Sequence, residues 1–187
     1  MNERGFALFD TAIGPCGIAW GPSGVIGVQL PERDAAATRD RLARRFRDAR
    51  EAAMPPEVQQ IVDDITALLR GEARDFSGVV LDMDGVPEFC RRVYAAAQKI
   101  PPGATLTYGE VAARLGDPGA ARDVGQALGK NPFPIVVPCH RVVAASGKTG
   151  GFSARGGVAT KLRLLMIENA RPQGEPTLFD RERMGAV

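Results

Sequence analysis

Histidine is nearly absent from this chain: 187 residues carry one, with three cysteines and one tryptophan. A single histidine and no Cys-x-x-Cys pair leave too few soft ligands for a structural zinc site. Cys16, Cys90 and Cys139 are odd in number and far apart, which excludes a disulfide framework. No long apolar run is present either. The longest uncharged stretch, residues 11–31, is interrupted by five glycines and three prolines, so it reads as short strands joined by turns, not as a spanning helix. Met1, Asn2, Glu3 and Arg4 lead into no apolar signal segment, and a cytoplasmic location without a membrane anchor is expected. There is no internal repeat and no low-complexity tract. The composition, 44% hydrophobic and 25% charged, excludes a disordered or collagen-like chain. The length allows one large domain or two small ones.

Net charge is only +2, but it is unevenly spread. Residues 120–171 hold eight basic side chains against two acids, or +6, which leaves −4 for the remainder. That asymmetry fits an anionic partner on one face or an unevenly charged solvated surface. Seven arginines between Arg33 and Arg50 interleave with five acids, and there the solvated face is the better reading.

Two apolar runs, 17–20 and 25–28, flank the Gly21–Gly24 turn and predict a β-hairpin. Residues 34–51, with Leu42 and Phe46 four apart among charges, predict an exposed amphipathic helix. Pro55 and Pro56 break the chain. A helix over 58–69 follows, with Ile61, Ile65 and Leu69 on one face, and then a strand over 79–83.

Near Gly85 a second region begins. Phe89, Val93 and Ala97 mark one helix, ended by Pro101, Pro102 and Gly103. Thr107 and Glu110 form a capping-box pattern at the start of another, with Val111 and Leu115 as its buried stripe. Residues 116–119 make a turn. Pro118 then suits the first position of a further helix capped by Asp117. That helix turns Ala121, Val124 and Leu128 inward, with Arg122 and Gln126 on its outer face. Two short helices around a glycine turn fit a DNA-binding helix-turn-helix or a plain packing hairpin.

Chemistry concentrates at residues 131–143. Ile135, Val136 and Val137 predict a buried strand that Pro138 stops, leaving Cys139 at its end beside His140. A free thiol is only a few per cent ionised at neutral pH, so a reactive cysteine needs a base or a positive field. Consecutive strand side chains point to opposite faces, so direct contact of Cys139 with His140 requires a turn or an intervening water. Glu168 is a candidate to orient the imidazole. It ends a helix over 157–170 whose apolar face would be Val158, Leu162, Leu165 and Met166. An inert buried cysteine beside a surface histidine fits the same residues.

Pro138, Cys139, His140, Arg141 and Val142, following an apolar run, resemble the active-site signature of the O6-alkylguanine-DNA alkyltransferases, the methylated-DNA–protein-cysteine methyltransferases. Residues 107–110, 120–125, 131–132, 150–153 and 161–168 resemble the family in order and spacing, so the likeness covers roughly 86–168. The opening resembles the family's N-terminal domain more weakly. The resemblance implies an α+β chain: a ribonuclease-H-like sheet-and-helix domain over 1–84, and a helix-turn-helix, winged-helix-like domain over 85–171 that carries the active site. Residues 172–187 are expected to form a flexible tail.

It further implies irreversible, single-turnover transfer of an alkyl group from O6-alkylguanine, and O4-alkylthymine, in a flipped-out base to Cys139. His140 is then the base acting through water, and Glu168 its orienting acid. Asn131 links the helix-turn-helix to the active-site loop. Tyr108 contacts base and phosphate and donates a proton to the guanine. Arg122 is the finger that fills the vacated stack, entering by the minor groove. Ala121, Gln126 and Arg141 face DNA. Val142, Phe152, Ser153 and Leu128 form the base pocket, with the Cys139 and Val142 carbonyls reading the guanine amino group. No cofactor or metal is expected, and the state is a monomer.

The chain departs from the family at Phe152, where many members have tyrosine, and at Arg155 and Gly156, which lengthen the loop after Ser153. Both bear on tolerance for bulky alkyl groups. In the tail, Leu178 and Phe179 resemble the short peptides by which bacterial repair proteins dock on the sliding clamp, or are a stray apolar pair. Two other functions fit less well. A non-catalytic sensor of alkylated DNA would lack Cys139, and a cysteine hydrolase built on Cys139 and His140 would turn over esters or amides.

Overall fold

In the computed structural model, which describes residues 4–145 and 149–170, the uncharged opening folds as a three-stranded antiparallel meander: β1 (Gly5–Thr11), β2 (Gly14–Gly21) and β3 (Gly24–Gln29). Alternation along β1 sends Phe6 and Leu8 to one face and Ala7 and Phe9 to the other. Helix α1 (Ala35–Arg45) covers the first face through Leu42, packed with Phe6, Ala19 and Ala49. Strand β4 (Arg50–Glu51) then pairs parallel to β1, giving the sheet order β3-β2-β1-β4.

Helix α1 starts where expected, with the Asp34 carboxylate accepting the Ala37 N–H at 2.8 Å, but it ends at Arg45 rather than near residue 51. Tertiary packing stops it. The Phe46 ring lies so close over Gly27 that any Cβ there would overlap it, and buried Ala49 leads the chain into β4.

The other sheet face carries Ile18, Trp20 and Val28 against α2 (Pro56–Leu68). The buried stripe of α2 is Val58, Val62, Ile65 and Leu68, with Ile61 only half-buried. Ile65 and Leu69 are buried as expected, and Ile61 falls to the flank because a strict four-residue spacing drifts off a 3.6-residue turn. The expected strand over 79–83 is reduced to one bridge, Leu81 beside Val25, and Val80 is 67% exposed. Farther along β3 the Val28 N–H donates to the Pro132 carbonyl, so the sheet edge is already occupied.

The second half begins with α3 (Glu88–Gln98), which buries Val93, Tyr94 and Ala97. Strand β5 (Leu106–Thr107) leads into α4 (Tyr108–Arg114). Pro118–Ala120 form one 3-10 turn, and α5 (Ala121–Gly129) follows. Asp117 makes no side-chain cap, because Pro118 opens the tighter turn and α5 starts three residues later. The α5 interior is Val124, Ala127 and Leu128. Ala121, expected inside, is half-buried, and Arg122 and Gln126 are exposed as expected. The Tyr94 hydroxyl donates to the Ala127 carbonyl at 3.0 Å and ties α3 to α5. One continuous buried cluster runs from Ile18 and Trp20 through Val93 and Tyr94 to Val124 and Phe133, so the two halves share a core.

Helix α6 (Val158–Ile167) is rotated from expectation. It buries Lys161, Leu164 and Leu165, while Val158, Leu162 and Met166 are 42%, 40% and 75% exposed. Lys161 and Glu168 anchor the buried face to the active-site loop, and Leu164 and Leu165 pack between them. The expected tail, residues 172–187, lies outside the described residues. No helix among the described residues is long and apolar enough to cross a membrane.

Candidate active site

The segment expected to be a strand over 135–137 is a turn. Asn131 organises it: its Oδ1 accepts the Phe133 N–H and its Nδ2 donates to the Val137 carbonyl, both at 2.9 Å. The Val137 N–H closes back on the Phe133 carbonyl at 2.7 Å, and Ile135 is driven to φ 75. A β-branched residue in that region costs roughly 1–3 kcal/mol. The buried side chains of Phe133, Ile135, Val136 and Val137 anchor the turn despite that cost.

Cys139, His140 and Arg141 then form one 3-10 turn. This supplies the departure from strand geometry that the adjacent thiol and imidazole require. Strand β6 (Val142–Val143) follows and pairs parallel with β5, setting Leu106 beside Val142 and Thr107 beside Val143. Residues 36 apart in sequence thus place the start of α4, with Tyr108, against the cysteine turn. The α4 start is itself fixed by its capping box: Thr107 Oγ1 accepts the Glu110 N–H at 3.1 Å, and Glu110 accepts the Thr107 N–H at 2.6 Å.

Beneath the turn lies a buried polar triad. His140 Nε2 sits 2.9 Å from Glu168 Oε1, and Arg141 donates to both carboxylate oxygens at 2.7 and 2.8 Å. Arg141 Nη1 reaches the Ile100 carbonyl at 2.5 Å. Burial alone would raise the Glu168 carboxyl, but hydrogen bonds and charge from His140 and Arg141 outweigh it and hold it at about 2. Burial pushes the His140 pKa down despite Glu168, so the ring is neutral at pH 7. An ionised Glu168 can only accept, so Nε2 carries the proton. Nδ1 is then a bare lone pair, with no hydrogen-bond partner among the described residues. Arg141, expected to face DNA, is 3% exposed and fully engaged here, so it is not a surface contact.

Lys161 was not singled out by the sequence. It is wholly buried, donates to the Val142 carbonyl at 2.6 Å, and lies 3.5 Å from the Tyr108 hydroxyl and 5.6 Å above that ring. Burial lowers its pKa to about 8, opposed by attraction to Cys139. Cys139 is 8% exposed. Burial raises its pKa, and the Asn131 side chain, the Lys161 charge and the backbone N–H groups of Cys139 and His140 pull it back. The Tyr108 phenol is raised by burial and by Cys139, so it is protonated at neutral pH and able to donate.

Cys139 opens into a cavity of about 620 Å³. Tyr108 of α4 and Ala121, Arg122, Gly125, Leu128 and Gly129 of α5 line it, with Phe152 and Ser153 from the loop. Ser153 Oγ donates to the Gly129 carbonyl at 2.9 Å and fixes the loop over the cavity. Gly150, at φ 72, passes against Tyr108 so closely that a Cβ would come 2.9 Å from the phenol oxygen. Gln126 is exposed on α5 and does not line the cavity. No group of three or more His, Cys, Asp or Glu side chains that could hold a metal ion occurs among the described residues.

Residues 88–170 match the family described as 6-O-methylguanine DNA methyltransferase, DNA binding domain. A methylated-DNA–protein-cysteine methyltransferase of Methanothermobacter thermautotrophicus is 39% identical over 159 residues, 85% of this chain and 82% of that protein. One from Mycobacterium bovis is 48% identical over 119 residues, 64% of this chain and 70% of its own. The crystal structure of Mycobacterium tuberculosis OGT in complex with DNA superposes with a TM-score of 0.72 at 36% identity, covering 88% of this chain and 92% of that one.

Proposed function

This chain belongs to the methylated-DNA–protein-cysteine methyltransferases, and from that premise we propose how its residues carry out direct-reversal repair of DNA. The observation that carries the reading is that Cys139, at the mouth of a cavity beside α5, lies in the field of a protonated phenol and a buried ammonium, and that the next residue carries a neutral imidazole whose Nδ1 has no partner among the described residues.

The electrophile is a saturated carbon bonded to guanine O6, so attack is in line. The Cys139 thiol gives its proton to His140 Nδ1 through a bridging water, and Glu168 stabilises the imidazolium that forms. Sulfur bonds to the alkyl carbon, the carbon–oxygen bond breaks, and its electron pair passes to the guanine. Tyr108 donates a proton to the base as that charge develops, and the Lys161 ammonium stabilises both the thiolate and the phenol oxygen. The product is a thioether that hydrolysis at neutral pH does not reverse, so each molecule acts once. O4-alkylthymine presents the same carbon–oxygen bond and is included in the substrate range.

The reactive carbon is inaccessible in a paired duplex, so the base is flipped into the cavity. Exposed Arg122 at the start of α5 is the finger that fills the gap, with Ala121 beside it and Gln126 one turn on. Leu128, Phe152 and the Ser153 loop enclose the base, and the Cys139 and Val142 carbonyls read its amino group. The meander, crossover helix and parallel fourth strand support a ribonuclease-H-like N-terminal domain over 1–84. The α4–α5 unit with the β5–β6 pair supports a winged-helix-like domain over 85–171. A monomer in the cytoplasm completes the reading. Docking on a sliding clamp through Leu178 and Phe179, outside the described residues, belongs to it as well: deletion of 172–187 is expected to lower affinity for purified clamp, and unchanged affinity contradicts that part.

Cys139→Ser tests the chemistry. The variant is expected to bind duplex DNA carrying O6-methylguanine and to erase no lesion. Lesion loss by the serine variant contradicts the proposal.

A further inference from the structure

The carbonyl of Pro132 is engaged twice by the N-terminal half. The Val28 N–H of β3 donates to it at 2.9 Å, and Arg45 Nη2, at the end of α1, donates to it at 3.0 Å. Arg45 Nη1 turns to the Val28 carbonyl at 3.2 Å, so one guanidinium ties β3 to the residue after Asn131. A planar fork of donors serves two carbonyls at once, which the compact ammonium of a lysine does not. Among the described residues no carboxylate forms an ion pair with Arg45, so its two donors go to neutral acceptors. On α1 the charge that acts on Arg45 is Arg41, one turn earlier.

The surroundings are shaped for this contact. The Arg45 guanidinium lies 4.9 Å over the Phe46 ring, and that ring lies over Gly27. A Cβ on Gly27 would also come 3.2 Å from the Pro132 oxygen, so bare backbone there admits both the ring and the carbonyl. Pro132 has no N–H, so this carbonyl is its only backbone hydrogen-bonding group.

Pro132 stands between Asn131 and Phe133, whose N–H the Asn131 side chain accepts. The same side chain donates to the Val137 carbonyl and bonds the Cys139 thiol. The turn also holds Ile135 at φ 75, and a strained residue persists only when its surroundings over-determine it. Buried Phe133, Ile135, Val136 and Val137 hold the turn from within, while β3 and Arg45 hold its first carbonyl from outside. We propose that Arg45 is a positioning residue for alkyl transfer: by pinning the Pro132 carbonyl it keeps the Asn131 side chain on the Cys139 thiol, so that the N-terminal half sets the reactivity of the nucleophile. Arg45 acts through Asn131. The inference rests on the repair reading for its substrate, but its thiol measurement needs no lesion. Tyr94 of α3, Tyr108 of α4 and Lys161 of α6, the other side chains coupled to the Cys139 charge, are unaltered in an Arg45 variant.

The test follows two rates in R45Q, R45K and R44Q. Arg44 is exposed beside Arg45 on α1 and controls for the loss of one charge there. The first rate is alkylation by iodoacetamide against pH, read on the Cys139 peptide. The second is single-turnover transfer from free O6-benzylguanine, which carries no phosphate. R45Q is expected to move the iodoacetamide profile upward by about half a unit or more and to slow transfer about tenfold, the scale of two lost hydrogen bonds. R45K keeps the charge without the fork and is expected to change in the same direction, and R44Q is expected to match the native chain. A native profile and rate in R45Q overturns the inference, because the contact is then idle. The same result in R45K overturns it too, because charge alone then suffices, and this arm decides the matter should R45Q not fold. A loss in R45Q confined to duplex substrate overturns it, because Arg45 then serves the DNA backbone, and so does an equal loss in R44Q. If the native chain transfers no alkyl group, the repair reading fails, and the iodoacetamide profiles still decide the role of Arg45.

Discussion

At the scale of single residues, Lys161 shows how burial turns a common side chain into part of a site. On a helix surface a lysine reads as solvated, and nothing local marks this one otherwise. The signal that could have found it is the spacing of Lys161, Leu164, Leu165 and Glu168, an i, i+3, i+4, i+7 stripe that includes two charges. The structure buries that stripe and leaves Val158, Leu162 and Met166 outside. With a pKa near 8, Lys161 is mostly charged at neutral pH, and its field lowers the cost of ionising Cys139. Lys161→Met removes that field and is expected to move the pH at which Cys139 reacts with iodoacetamide upward by about one unit. An unchanged profile would show that the ammonium does not act on the thiol. The pairing of Glu168 with the one histidine was readable because a chain with a single imidazole offers few partners for an acid at that place. Arg141 was misread as a DNA contact because sequence shows its charge but not its burial.

Among the elements, those governed by neighbouring residues were the readable ones. The α4 capping box forms as the Thr107 and Glu110 spacing predicts, because every partner lies within four residues. The turn over 131–137 was not readable, because three consecutive apolar residues suit a buried strand equally well and only the Asn131 side chain decides the outcome. The end of α1 was also hidden, since it depends on Gly27 and β4 far away in sequence. The capping box matters beyond local stability because β5 and the first turn of α4 aim Tyr108 at Cys139. Thr107→Ala is expected to lower unfolding stability by about 1 kcal/mol in urea titration. It should also slow alkyl transfer to Cys139 while DNA affinity holds. Loss of stability with full reaction rate would separate the cap from the positioning of Tyr108.

For the whole molecule, one core joins the two halves, and the buried triad makes its stability depend on acid. The Glu168 pKa in the fold is about 2, below its ordinary 4.5, so its contribution is complete above about pH 4.5 and is lost as pH falls toward 2. Glu168→Gln removes that dependence and leaves Arg141 and His140 buried without their carboxylate. A cost of roughly 3–5 kcal/mol at neutral pH is expected in denaturant unfolding, with a flatter acid limb than the native chain. The same cooperative body brings the cysteine turn, α5 and the closing loop to one cavity, and its central claim is that one sulfur captures one alkyl group and is consumed. The most direct measurement is mass spectrometry of the intact chain and its peptides after reaction with excess duplex carrying O6-methylguanine. One methyl group on the Cys139 peptide, with one lesion erased per protein molecule, is the predicted result. Many lesions erased per molecule, or a methyl group found elsewhere on the chain, would contradict it.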